Sequence, residues 1–117
     1  MITVYGIRQC DTCRKALKWL GERDVEHGFH DLRVDGLDAD RLQGWLASAF
    51  ADQLVNRRST TWRGLDEAER SASGEALIAL LLAHPTLVKR PLFERNGAVL
   101  ALGFKPVELA ERLGVAP

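Results

Sequence analysis

Two cysteines, Cys10 and Cys13 in "YGIRQCDTCRKALKWL" (Tyr5 to Leu20), are the only ones in the 117-residue chain. Cysteines two residues apart serve as a redox pair, as half of a metal site, or as apolar packing. A structural staple is a poor fourth choice, because the loop it would close is tiny and a reducing cytosol keeps such a pair as thiols. Nucleophilic chemistry needs the thiolate, which is favoured where a sulfur faces the unpaired N–H groups and the positive dipole end of a helix start. Position alone therefore marks Cys10 as the nucleophile. Arg8, Arg14 and Lys15 are close enough in sequence to add to this, and Asp11 opposes it by like-charge repulsion. Cys13, one helical turn on, is near enough to act as resolving thiol.

A metal site is the second reading. Cys10, Cys13, His27 and His30 give C-x2-C, thirteen residues, then H-x2-H, close to a zinc-finger spacing. The histidine pair is one residue short, and on a strand residues three apart point to opposite faces. A zinc finger also uses its ion in place of a core, whereas this chain has several apolar stripes. Redox is the leading reading, with zinc and inert packing as the alternatives and no metal assigned.

The elements that must position this pair follow from periodicity. Ile2 to Gly6 alternates as a short strand that the glycine breaks, and Cys13, Ala16, Leu17 and Leu20 form the stripe of an amphipathic helix. Cys10 thus falls at the helix start and Cys13 on its core side. "HGFHDL" (His27 to Leu32) suits a second strand, and "RVDGLDAD" (Arg33 to Asp40) a turn-rich connector. Leu42, Trp45, Leu46, Ala49 and Phe50 repeat the helical stripe, with Asp38 as N-cap and Asp40 in the first turn. Gln53 to Leu65 reads as irregular and basic, and Leu77, Leu80 and Leu81 mark a helix that Pro85 ends or closely follows. "RPLFERNGAVLALGF" (Arg90 to Phe104) is a hairpin around Asn96-Gly97, and "KPVELAERLG" a last helix between Pro106 and Gly114. The order is strand, helix, strand, a helical middle at about 36–84, hairpin, helix. It predicts one α/β domain over residues 1–117: a thioredoxin-like fold with a mixed four-stranded sheet and a helical insertion before the hairpin. The first βαβ unit should be parallel and the hairpin strands antiparallel.

Basic residues supply the other candidates. Arg57, Arg58 and Arg63, taken singly, suit solvated surface. Arg90 differs, because Pro91 after it is tolerated only at a strand beginning or edge, and X-Pro bonds alone become cis at modest cost. A hairpin beside the first strand would put this guanidinium near Cys10, where it can hold an oxyanion or carboxylate in bidentate fashion. His27, His30 and His84 are not assigned roles, and Trp19, Trp45 and Trp62 are read as packing residues.

Composition bounds the rest. With 46% hydrophobic and 27% charged residues, the chain has material for both a core and a solvated surface. Sixteen basic residues balance sixteen acidic ones, so nothing draws the whole chain to nucleic acid or an anionic membrane. The start "MITVYGIRQC" lacks a signal peptide's apolar run, and no segment has the roughly 18 apolar residues that span a bilayer. The expectation is a soluble cytoplasmic protein with no direct nucleic-acid or membrane partner.

"YGIRQCDTCRKALKWL", "FHDLRVDGLD", "LVNRRSTTWRGLDE" and "HPTLVKRPLFERNG" followed by "LGF" together resemble the arsenate reductase-related (ArsC-like) family, along its YffB branch. The resemblance implies a nucleophile at Cys10, an anion-binding Arg90, a cis-proline at Pro91, no bound cofactor, and glutathione as thiol co-substrate. Arsenate reductases of this family hold their oxyanion with three arginines, of which this chain matches only Arg90. The first aligns with Asn56, beside Arg57, and the last falls in "LALGF", which has no arginine. The second cysteine, Cys13, is like the C-x-x-C of the Spx branch, redox-responsive regulators that bind RNA polymerase. The leading expectation is a glutathione-dependent thiol-disulfide oxidoreductase using Cys10, Cys13 and Arg90, with Arg57, Arg58 and Pro91 binding substrate. The alternatives are a redox-switched RNA polymerase-binding regulator and an arsenate reductase coupled to glutathione and glutaredoxin.

Overall fold

The alternation of Ile2, Thr3, Val4 and Tyr5 produces the central strand β1 (Ile2–Gly6), and the stripe after it produces helix α1 (Asp11–Glu22). The chain returns through β2 (His27–Asp31), which pairs parallel to β1 with Ile2 opposite His27 and Gly6 opposite Asp31. The computed structural model describes residues 1–117. The helical middle holds α2 (Ala39–Leu46), α3 (Thr60–Arg63), α4 (Glu67–Arg70) and α5 (Gly74–Ala83), with single 3-10 turns at Ala51–Gln53 and Pro85–Leu87. The hairpin β3 (Leu92–Arg95) and β4 (Ala98–Leu102) and helix α6 (Pro106–Leu113) complete the order. β3 pairs antiparallel with β1, giving a mixed four-stranded sheet in the order β2-β1-β3-β4. This is the thioredoxin-like topology expected from the sequence.

The chain divides into two compact units. The first comprises Met1–Asp31 and Arg90–Pro117, the second Leu32–Lys89. In the first, Ile2 and Val4 of β1, Ala16, Trp19 and Leu20 of α1, Phe93, Ala101, and Leu109 and Ala110 of α6 form one buried cluster. Burying a side chain the size of Leu20 or Phe93 contributes about 1.5–3 kcal/mol, so this cluster fixes α1 against β1. The turn between β3 and β4 puts Asn96 at φ 53° and Gly97 at φ 79°, the left-handed pair a two-residue hairpin needs. Gly114 closes α6 in the same region at φ 71°, as a helix end requires.

Two expectations for the second unit are corrected. The stripe from Leu42 was expected to carry a helix to Phe50, but α2 ends at Leu46. Ser48 Oγ donates to the Trp45 carbonyl at 2.6 Å and accepts from Phe50 N–H at 3.2 Å, so a local serine turn replaces the next helical turn. Gln53 to Leu65 was expected to be irregular, yet Ser59 caps α3 by accepting from Trp62 N–H at 3.1 Å. The capping box of Asp66 and Glu69 starts α4, a D-x-x-E pattern legible in the sequence. Asp38 caps α2 as expected, accepting from Arg41 N–H at 2.7 Å.

Candidate functional site

Cys10 occupies the N-cap of α1, with an extended backbone at φ −80° and ψ 121°. The turn before it is tied down at each step. Cys10 N–H donates to the Ile7 carbonyl at 3.0 Å, Arg14 Nε donates to the Arg8 carbonyl at 2.9 Å, and Arg8 N–H donates to Asp31 Oδ2 at 3.1 Å. Asp31 is the one charged residue buried in the fold, at 2% exposure. Taking a carboxylate out of water is costly unless hydrogen bonds replace the lost hydration, and here the carboxylate accepts from the segment that leads into Cys10.

Cys10 is half-buried, and burial by itself pushes its thiol up. The Cys13 N–H, the Cys13 thiol, the Arg90 charge and the Thr12 N–H outweigh this, so the Cys10 pKa lies below its ordinary value. Thr12 and Cys13 are the second and third residues of α1, whose N–H groups have no partner within the helix. Cys13 is wholly buried, at 0% exposure. Burial, the hydrogen bond to Cys10 and the Cys10 charge push it up to about 12, against the opposing pull of the Ile7 N–H and Arg90. The two thiols are thus unequal, Cys10 the readier to give up its proton and Cys13 held as S–H.

Arg90 joins this neighbourhood through its charge, which lowers both thiols. It is half-buried. The bond from Arg90 to Pro91 is cis, as the resemblance implies, and Pro91 is buried with its carbonyl accepting from Gly103 N–H at 2.8 Å. Arg8, Arg14 and Lys15, considered as helpers from sequence, have exposed side chains. Arg14 Nη1 lies 3.9 Å from Asp11 Oδ1, and Arg8 stacks over the Phe29 ring at 5.8 Å. The distant Arg90, rather than these near cations, exerts the lowering pull on Cys10.

Arg57 and Arg58 belong to the second unit, where with Asp52, Asn56 and Lys89 they line an open recess of about 370 Å³. Asn56 builds the turn. Its N–H donates to the Leu87 carbonyl at 2.7 Å and its Oδ1 accepts from Arg58 N–H at 3.1 Å. Arg57 lies over the Trp62 ring at 5.7 Å. His27 Nδ1 is 2.7 Å from the Val25 carbonyl and the His30 ring packs against Tyr5 at 4.9 Å. No three His, Cys, Asp or Glu side chains converge where an ion would sit.

Sequence reasoning missed two residues of this site. Asp31 gave a faint signal, the one carboxylate in the strand His27–Asp31. The sequence marks Gly6 only as a strand breaker, whereas in the structure Cys13 Sγ lies where a side chain on residue 6 would start.

The model of the ArsC family matches residues 5–111. An uncharacterised protein of Haemophilus influenzae is 49% identical over 109 residues, covering 92% of this chain and 95% of that one. The global transcriptional regulator Spx of Streptococcus mutans is 29% identical over 111 residues, covering 93% of this chain and 80% of its own length. Among solved structures, a YffB protein superposes with TM-score 0.86 at 40% identity, covering 97% of this chain and 99% of that one.

Proposed function

The chain belongs to the ArsC family, and from its site we propose that it is a thiol-disulfide oxidoreductase that uses Cys10 as nucleophile and glutathione as reductant. The observation that carries this reading is the unequal sulfur pair at the start of α1, Cys10 lowered and half-buried, Cys13 raised and enclosed. The Cys10 thiolate attacks one sulfur of a mixed disulfide between glutathione and a second thiol. A Cys10–glutathione disulfide forms, and the second thiol leaves as thiolate and takes a proton from water. Either a second glutathione attacks the glutathione sulfur of that adduct, or Cys13 attacks Cys10 and two glutathiones later reduce the pair. Both routes convert one mixed disulfide and one glutathione into oxidised glutathione and the free thiol. Arg90 holds a carboxylate of glutathione, the bidentate partner a guanidinium suits.

The test is turnover of a glutathione mixed disulfide by purified protein. Full loss of turnover in Cys10→Ser is expected, and undiminished turnover rejects the assignment. The similarity to Spx regulators supports a second reading, a redox-switched protein that binds RNA polymerase without turnover. A cysteine-dependent pull-down of polymerase by a protein that forms the Cys10–Cys13 bridge yet reduces nothing would select it. Arsenate-dependent consumption of glutathione with glutaredoxin would select the arsenate reductase reading instead.

A further inference from the structure

Gly6 ends β1 outside the left-handed region that only glycine enters freely. It pairs with Asp31 of β2 as any strand residue would. Glycine there carries a larger entropy loss on folding than alanine and leaves nothing to pack, so the backbone alone gives no reason for it. The neighbours do. A Cβ on residue 6 would stand 2.5 Å from Cys13 Sγ, 3.3 Å from Cys13 Cβ and 3.4 Å from Phe29 Cε1. Unbonded heavy atoms attract at about 3.5–4.0 Å, so the sulfur occupies the volume a side chain would need. It has little freedom to withdraw: Cys13 is fully buried on α1, and the Ile7 N–H and the Cys10 sulfur both act on its thiol.

We propose that Gly6 is a positioning residue for the nucleophile: its missing side chain makes the slot in which the Cys13 thiol stands, and from that slot the Cys13 S–H donates to the Cys10 sulfur. This rests on Cys10 being the nucleophile. In the reduced protein it gives Cys13 a task apart from resolving a disulfide, because a hydrogen bond to a charged sulfur favours that charge. β1 thereby sets the reactivity of a sulfur four residues beyond its end.

The experiment measures the pH midpoint of Cys10 alkylation by iodoacetamide in the parent, Gly6→Ala, Cys13→Ala, Cys13→Ser and the Gly6→Ala/Cys13→Ala double variant. Gly6→Ala and Cys13→Ala each raise the midpoint by about one pH unit, a tenfold loss of thiolate below it. Cys13→Ser keeps a donor at the same place and returns most of that shift. In the Cys13→Ala background the Gly6→Ala change adds no more than about 0.3 pH unit, because the sulfur it would strike is gone. If Gly6→Ala alone does not fold, the double variant folds with the thermal midpoint of Cys13→Ala. The inference is overturned by an unmoved midpoint in folded Gly6→Ala, by an equal shift in both backgrounds, or by a double variant that stays unfolded while Cys13→Ala folds. Turnover persisting in Cys10→Ser would reject the enzymatic reading independently of these titrations.

Discussion

Arginine is used in opposite ways in the two units. Arg90 is half-buried beside a cis-proline, and its charge reaches two sulfurs. Arg57 and Arg58 are exposed on a turn that Asn56 shapes, around a recess that also holds the acidic Asp52. The same side chain is electrostatically strong in one setting and weak in the other, because water and salt screen an exposed charge and a partly enclosed one far less. A basic cluster therefore says little until its enclosure is known, whereas a half-buried arginine before a proline at a strand start can carry more.

Arg90→Ala is the largest way to break this contrast. Removing its charge raises the Cys10 pKa, so the fall of alkylation rate on acidification, which follows protonation of the thiolate, moves to higher pH. A displacement of about one pH unit corresponds to about tenfold less thiolate below the midpoint. Turnover of the mixed disulfide falls by more than this factor, since the carboxylate contact is lost as well. Arg90→Lys restores part of the midpoint and less of the turnover, as an ammonium lacks the bidentate fork. An unshifted alkylation profile in Arg90→Ala would remove Arg90 from the site.

Asp31 extends the comparison from charge to support. Asp31→Ala leaves Arg8 N–H without its acceptor, which costs about 1–3 kcal/mol, read as a lower midpoint in urea unfolding. Asp31→Asn keeps a carbonyl oxygen in place and loses less. Equal losses in the two variants would mean that the acceptor at the turn before Cys10 is not what the carboxylate supplies.

The parts of this molecule legible in sequence were those written in local periodicity. The β1–α1 start, the Asn96-Gly97 turn and Pro106 to Gly114 each rest on neighbours within one helical turn or one strand. Cys10 was legible for the same reason, because a helix start is a local event. Cys13 facing inward followed from its stripe, but its contact with Gly6 did not, since nothing in a strand's own pattern announces what packs on it. Asp31 was hidden likewise, its partner lying 23 residues away. The end of α2 at Leu46 was missed because the apolar stripe outlasts the helix, and a single serine hydroxyl decided against it.

The smallest expected effects sharpen the contrast from its weak side. Arg57→Ala and Arg58→Ala leave folding stability within about 0.5 kcal/mol, as exposed substitutions away from caps and cores do. Both leave the alkylation profile of Cys10 at its parent midpoint. Their mark is confined to binding: KM for a glutathione mixed disulfide rises no more than about fivefold, the value of one exposed ion pair, with kcat unchanged. Raising salt shrinks the difference between variant and parent, because it screens the exposed arginine that the variant lacks. Arg57→Ala also gives up the ring of Trp62, so its effect should be the less salt-sensitive of the two. A fall in kcat in either variant would show these arginines acting on the transition state, and the division between a strong Arg90 and a weak pair would then be wrong.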